Sequence, residues 1–297
     1  MKRKSGETPI CCGVFREVEH SPGREADDAA ILKATGRRLE EREGFLVGYR
    51  TPAELAGRER LLPALAFAMC EGPAALESLG LWESRGVRVV NSARAVANTH
   101  RERMIPLLSR SRVPMPESLL LDFADPLPSG GDSHRIFSAC WVKQATEHKT
   151  REGDVVFATD TSSVRDALER LQDRGLSRAV AQRHVEGDLV KFYGVAAAAP
   201  PEDQAAVPSW FQWFYPREHP VAGHAFDAQA LREIACRATA ALGLEVWGGD
   251  AIVGADGRIF VIDVNAWPSF ALFREEAADH IAANLAARVR RLTRVTA

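Results

Sequence analysis

The stretch GRIFVIDVNAWPSF, residues 257–270, decides how the chain reads. It begins as an apolar strand, ends at an aromatic-Pro turn, and between them offers Asp263 and Asn265, one residue apart. Successive side chains of a strand point to opposite faces, so these two oxygen-bearing groups project together. Just upstream, EVWGGDAIVG (245–254) is a second apolar strand, and the ADG between the two is a hairpin signal. The tight turn brings Asp250 within reach of the same face. Two carboxylates and a carboxamide are hard oxygen donors that suit Mg²⁺, with Mn²⁺ as a substitute. Any one of the three alone reads as ordinary turn chemistry. Three converging on a strand whose Val261, Ile262 and Val264 face a core read as a metal site.

The rest of the chain leaves room for such a site in a large fold. It has 297 residues, 46% of them hydrophobic, ample for a sizeable core and for two or three closely packed domains. The formal net charge of −2 gives no electrostatic case for a nucleic-acid partner. The five cysteines, Cys11, Cys12, Cys70, Cys140 and Cys236, follow no metal-binding spacing, and most lie in apolar runs, as buried free thiols in a reducing compartment do. The basic start MKRKSGETP has no apolar signal core after it, and no run of about 18 apolar residues follows. A soluble cytoplasmic protein, with no membrane partner, is the expectation.

Strand-like and helix-like segments alternate from the start. PICCGVF, GFLVGY and GVRVVNS read as strands, with helices at 26–43 and 74–84 between them, the second reached through LLPALAFAMC and the turn EGP. That alternation predicts a small parallel α/β domain over residues 1–95. A helix follows at 93–110 with Ser92 as its N-cap, and the two prolines of SRVPMPES stop it. DPLPSGGDSH reads as a surface loop and IFSACWVK as a strand beyond it. Next come strand DVVFAT, a helix at 162–174, strands RAVAQRHV and DLVKFYGVAAA, and the aromatic strand SWFQWFYP. A helix at 227–242 precedes the hairpin, and one at 275–292 closes the chain. Alternation along SWFQWFYP sends Trp210 and Phe214 to one face and Phe211, Trp213 and Tyr215 to the other, as in a strand buried on both sides. The less favoured alternative is an aromatic wall for a substrate.

With these residues in place the chain resembles the ATP-grasp superfamily over roughly residues 90–285. VIDVNAWPSF preceded by GGDAIV is similar to the family's metal-binding hairpin. ANTHRERMIPLLSRSRVPMPES resembles its opening helix and the proline segment after it, SACWVKQ its nucleotide-lysine strand, and AVAQRHVEGDLVKFYGV its hinge. The resemblance implies an α/β (α+β grasp) fold. The N-terminal domain would be followed by a two-lobed ATP-grasp domain, with a central lobe at 96–187 and a C-terminal lobe at 188–297. It implies ATP and Mg²⁺ as cofactors, with Asp250, Asp263 and Asn265 on the metal. Lys143 and Arg101 would touch phosphate, Gln182, His184 and Val185 would read the adenine, and Glu186 would hold the ribose. Arg101 stands where the family carries a lysine. The loop QATEHKTREGD departs from the Gly-rich phosphate loop of many members, having only Gly153, and His148, Lys149 and Arg151 would act there through side chains.

Two reaction classes stay open on the resemblance. A carboxylate–amine ligase activates a carboxylate as an acyl phosphate; a kinase phosphorylates a hydroxyl. The layout resembles ribosomal-protein glutamate ligases, which usually carry Glu-x-Asn at the metal, whereas Asp263-x-Asn265 and Lys191 look closer to the inositol polyphosphate kinases of the grasp fold. The near-neutral chain suits a small acceptor with one or two anionic groups better than a polyphosphate. Ligase is the first reading, kinase the second, and a non-catalytic nucleotide-binding protein the third. Lys191 and Arg217 are the candidates for catalysis, and His148, Arg16 and Arg24 for the acceptor. Arg16 and Arg24 fall in a loop after a first strand, where open α/β sheets bind ligands. A monomer or homodimer is expected.

Overall fold

The computed structural model describes residues 10–56, 62–128, 130–146, 153–197 and 208–295. They form three four-stranded sheets. The first is parallel and built from β1 (Ile10–Val14), β2 (Leu46–Arg50), β3 (Leu65–Ala68) and β4 (Arg88–Val90), in the order β2-β1-β3-β4. Its helices are α1 (Glu25–Glu43) and α2 (Pro73–Ser84). Acidic residues crowd the first turn of α1, where they complement the helix dipole, and Gly44 ends it in the left-handed region at φ 66°.

The chain then enters α3 (Ala93–Ala97) and α4 (Arg101–Arg110). The sequence predicts one helix here, and the structure breaks it at residues 98–100. Ser92 does cap α3, its hydroxyl accepting from the Ala95 amide at 3.1 Å. Asn98, however, donates to the Leu242 carbonyl at 3.1 Å, and Thr99 turns back to Val96. Side chains that bond to backbone compete with helix continuation, and here they win. The restart makes Arg101 the first residue of a new helix.

The second sheet holds β5 (Ser118–Asp122), β6 (Cys140–Gln144), β7 (Val155–Ala158) and β8 (Arg178–Arg183), antiparallel in the order β5-β8-β6-β7. α5 (Gly131–Phe137) and α6 (Thr161–Asp173) pack on it. α5 corrects the expected loop and strand. Ile136 and Phe137 close that helix and are buried with Val164 and Ala167 of α6, and the strand begins only at Cys140.

The third sheet is antiparallel, β10-β9-β11-β12, from β9 (Asp188–Ala196), β10 (Pro208–Phe214), β11 (Val246–Val253) and β12 (Ile259–Ala266). α7 (Ala228–Leu242) covers one face, and α8 (Arg274–Val295) lies against the other beside α1. One hydrophobic cluster runs from Phe67 of β3 through Ile31 and Leu32 of α1 to Ile281 and Leu285 of α8 and Val195 of β9. The N-terminal sheet and the last sheet are therefore packed as one body. β10 divides its rings as alternation predicts. Trp210 and Phe214 meet Phe270, Phe273 and Tyr193, while Phe211 and Trp213 meet Trp247 and Phe226 on the other face. Four cysteines are buried and Cys236 is half-buried, all five as free thiols. Among the described residues no helix is long and apolar enough to cross a membrane.

Candidate active site

The β11–β12 hairpin supplies the acids. Its turn needs Gly257 at φ 75°, and its register sets Asp250 directly opposite Asp263 and Gly248 opposite Asn265. The pairing slips by one residue between Asp250 and Ala251, a bulge that leaves Ile262 unmatched. The bulge resets the alternation: Val261 and Val264, three residues apart, both reach the core, and Asp263 and Asn265 share the other face. Ile262 is half-buried and not in that core, unlike the sequence expectation. On the far side of β11, Lys191 of β9 is in register with Asp250, and Tyr193 with Gly248. Two rows thus cross the sheet, Phe214–Lys191–Asp250–Asp263 and, one step along, Gln212–Tyr193–Gly248–Asn265.

Cations face the first row. Lys191 Nζ lies 2.8 Å from Asp250 Oδ1, and Arg101 Nη2 lies 3.0 Å from Asp263 Oδ2. Arg101, only 4% exposed, also donates to the Gln144 carbonyl at 3.1 Å. Lys143, 7% exposed, comes from the second sheet, where its Nζ donates to Gln182 Oε1 at 2.7 Å. Burial pulls the Lys143 ammonium down to about 8; Asp263 and Asp250 resist this, and Arg101 adds to it. Arg101 joins the two faces, bonded at once to the Gln144 carbonyl beside Lys143 and to Asp263 of the hairpin. The hairpin carboxylates thus stand against a wall that carries the buried cations Arg101 and Lys143.

The donor set fits a hard divalent ion. Asp250 and Asp263 face each other across the hairpin, and the Asn265 amide has no hydrogen-bond partner among the described residues. No group of three or more His, Cys, Asp or Glu gathers among the described residues. The metal would thus rest on two carboxylates and an amide, leaving coordination to ATP phosphates and water.

Alternation carries the second sheet's site face outward. Trp141 lies two residues before Lys143, paired with Phe157 on β7 and Gln182 on β8. Trp141 and Phe157 are 36% and 44% exposed, with ring centroids 4.9 Å apart, and His184 closes the group by accepting from Trp141 Nε1 at 3.2 Å. Leu189, Ile252 and Phe260, all half-buried, stand beyond the acids on the opposite wall. The sequence reading missed Trp141 and Phe157, although the spacing of Trp141 from Lys143 was a usable signal. Gln182 sits behind Lys143 and holds Ser118 Oγ at 3.3 Å; Val185 is half-buried and Glu186 exposed in the turn into β9. Asp188 then fastens the loop after β10, accepting from the Ala222, Gly223 and His224 amides at 2.6, 2.9 and 2.7 Å.

The remaining candidates separate. Arg217 is exposed in the turn after β10. Arg24 is exposed at the start of α1. Arg16 is committed elsewhere: it pairs with Glu71 and Asp28 and donates to the Trp267 carbonyl at 2.6 Å. Burial works against its charge, yet Glu71 and Asp28 hold its pKa above the ordinary arginine value. His148, with Lys149 and Arg151, lies outside the described residues.

No family model matches the sequence, and no curated protein sequence matches it. Solved structures do match in fold. The D-alanine-D-alanine ligase from Coxiella burnetii is 12% identical with a TM-score of 0.69, over 97% of this chain and 98% of that one. The D-alanine-D-alanine ligase from Bacillus anthracis complexed with ATP is 11% identical with a TM-score of 0.70, over 98% and 100%. The ATP-grasp ligase PsnB complexed with minimal precursor is 18% identical with a TM-score of 0.59, over 93% and 99%. The protein has the ATP-grasp fold across its length.

Proposed function

We propose that the protein is an Mg²⁺-ATP-dependent, ADP-forming carboxylate–amine ligase. The observation that carries this is the Arg101–Asp263 pair joining the hairpin to the second sheet, with Asp250 opposite Asp263 and Lys143 buried on the second sheet's side. Buried cations are costly without anionic partners, and ATP phosphates between these walls would match the cations directly and the acids through a metal. Mg²⁺ would neutralise charge on the transferring phosphoryl group when held by Asp250, Asp263 and Asn265. Lys143 and Arg101 hold phosphate oxygens, and the Trp141–Phe157 shelf takes the adenine face, with His184 and Val185 at its hinge edge and Glu186 near the ribose. An acceptor carboxylate oxygen attacks the γ-phosphorus and ADP leaves. An amine nitrogen then attacks the acyl carbon and inorganic phosphate leaves as the amide forms. Lys191, two residues from Tyr193 on the same face, stands where the acceptor would meet the phosphoryl group. The ligase names of the fold's neighbours support this class over the kinase.

The test is an acceptor screen that follows ADP and inorganic phosphate separately. Equal release of both, dependent on a carboxylate and an amine, is expected. ADP without phosphate would make the protein a kinase, and tight ATP binding without turnover would make it a binding module.

A further inference from the structure

The three proposed metal groups are not held alike. Asp250 meets Lys191 at 2.8 Å, and Asp263 meets Arg101 at 3.0 Å and accepts from the Val264 amide at 3.2 Å. The Asn265 amide has no hydrogen-bond partner among the described residues. Its direction is therefore set by the backbone on either side of it and by what packs beside it. On the N-terminal side that backbone is β12, paired with β11. On the C-terminal side it is the turn 267–270.

That turn is tightly constrained. Trp267 and Phe270 lie in the left-handed region at φ 43° and 51°, a conformation that costs a bulky residue free energy and persists only where the surroundings impose it. Between them Pro268 folds back over the sheet. A Cβ on Gly248, the residue opposite Asn265, would come within 2.8 Å of Pro268 Cγ, so the turn lies directly beside Asn265. Phe270 is held by aromatic packing, its ring centroid 5.0 Å from Tyr193 and 5.9 Å from Trp210. Trp267 is held by the N-terminal body. It is fully buried, and its ring stacks on Phe67 of β3 with 6.2 Å between centroids. Its carbonyl accepts from Arg16 Nη2 at 2.6 Å, and the Ala266 carbonyl lies 3.4 Å from the same nitrogen.

Arg16 spends each nitrogen of its fork on a different segment. Nε faces Asp28 of α1 at 3.0 Å, Nη1 pairs with Glu71 after β3, and Nη2 serves the end of β12. Asp28 in turn accepts from Ser21 Oγ at 2.6 Å, and the Glu71 amide donates to Glu17 at 3.0 Å. A planar guanidinium engaged at all three corners cannot turn away from the Trp267 carbonyl without also leaving a carboxylate.

We propose, on the Mg²⁺-ATP reading above, that Arg16 is a positioning residue for the metal. Held by α1 and the end of β3, it fixes the Trp267 carbonyl and so sets the direction of the Asn265 amide two residues earlier. The N-terminal body thereby supports the metal site through the backbone, not through a ligand of its own.

The test is calorimetric titration of a non-hydrolysable ATP analogue at a series of Mg²⁺ concentrations. Arg16→Met should raise the half-saturating Mg²⁺ about tenfold, the cost of removing a group that orients a metal ligand, with Mg²⁺-free analogue affinity unchanged. Arg16→Lys, which keeps the charge but not the fork, should fall between Arg16→Met and wild type. Glu71→Gln, which loosens Arg16 without removing its bond to Trp267, should lose stability in urea and keep the wild-type Mg²⁺ requirement. Arg16→Met with Asn265→Ala should need no more Mg²⁺ than Asn265→Ala alone, because the first residue acts through the second. If Arg16→Met does not fold, Arg16→Lys carries the same cycle. An unchanged Mg²⁺ requirement in the Arg16 variants, additive effects of the Arg16 and Asn265 changes, or an equal shift in Glu71→Gln would overturn the proposal. Failure of the underlying reading looks different: analogue binding by wild type would itself ignore Mg²⁺, and both would fall.

Discussion

Two regions of this protein are crowded with charge, and they differ in what the charges do. At the end of the N-terminal sheet, Arg16 is enclosed by Glu71, Asp28 and the Trp267 carbonyl, and Glu17 accepts from the Glu71 and Gly72 amides. These groups satisfy one another, and they pin the N-terminal body to the end of β12. Between the hairpin and the second sheet, the Asp250–Lys191 and Asp263–Arg101 pairs go with a buried lysine of depressed pKa and an amide with no partner among the described residues. A closed network is a joint. An open one, with cations on one side and acids on the other, is where the proposed Mg²⁺-ATP would sit.

The comparison predicts opposite outcomes for the two arginines. Arg16→Met leaves Glu71 and Asp28 without their cation and should cost about 3–5 kcal/mol of stability in urea unfolding. Arg101→Met should cost less than half as much, because Lys143, relieved of a like charge, can take up Asp263. Its main loss should be in ATP affinity. Equal destabilisation by both would end the distinction between joint and site.

Lys143→Met should weaken ATP binding about tenfold to a hundredfold by calorimetry, the range for a lost charged hydrogen bond. It should leave stability level or improved, since a buried cation is removed. Lys143 also has a pH signature. The folded chain releases its proton near 8 and the unfolded chain near 10.5, so between those values the unfolded chain binds more protons and stability rises with pH. Across that window wild type should gain on Lys143→Met by up to about 1.4 kcal/mol per pH unit. A difference that stays flat would place Lys143 in water.

Asp188→Asn, which keeps the shape but weakens three amide contacts, should destabilise by about 1–2 kcal/mol and raise backbone exchange at residues 222–224. The smallest effect belongs to the shelf. Trp141→Ala should reduce ATP affinity by about 1 kcal/mol, and Phe157→Ala by no more, both without loss of stability since each ring is exposed.

The sequence carried the hairpin well, because strand alternation and the ADG turn are local signals. Asp250, Asp263 and Asn265 on one face follow from them. The bulge at Asp250 was not legible, since a one-residue slip has no composition of its own, and Ile262 was misplaced as a result. The break at residues 98–100 depends on the Leu242 carbonyl, 144 residues away, and no helical periodicity records it. α5 was hidden because its two apolar residues look like the start of a strand until α6 is beside them. Arg16 and Arg24 looked alike in a loop; only the tertiary partners Glu71, Asp28 and Trp267 separate the joint from the free guanidinium.

The central claim is that the hairpin acids and the Lys143 wall form one Mg²⁺-ATP site. Calorimetric titration of ATP into wild type and into Asp263→Ala with Asn265→Ala, each with and without Mg²⁺, tests it most directly. Wild type should bind ATP with a strong Mg²⁺ dependence, and the double variant, folded by circular dichroism, should lose that dependence and most of the affinity. Mg²⁺-dependent binding of wild-type strength in the double variant would contradict it.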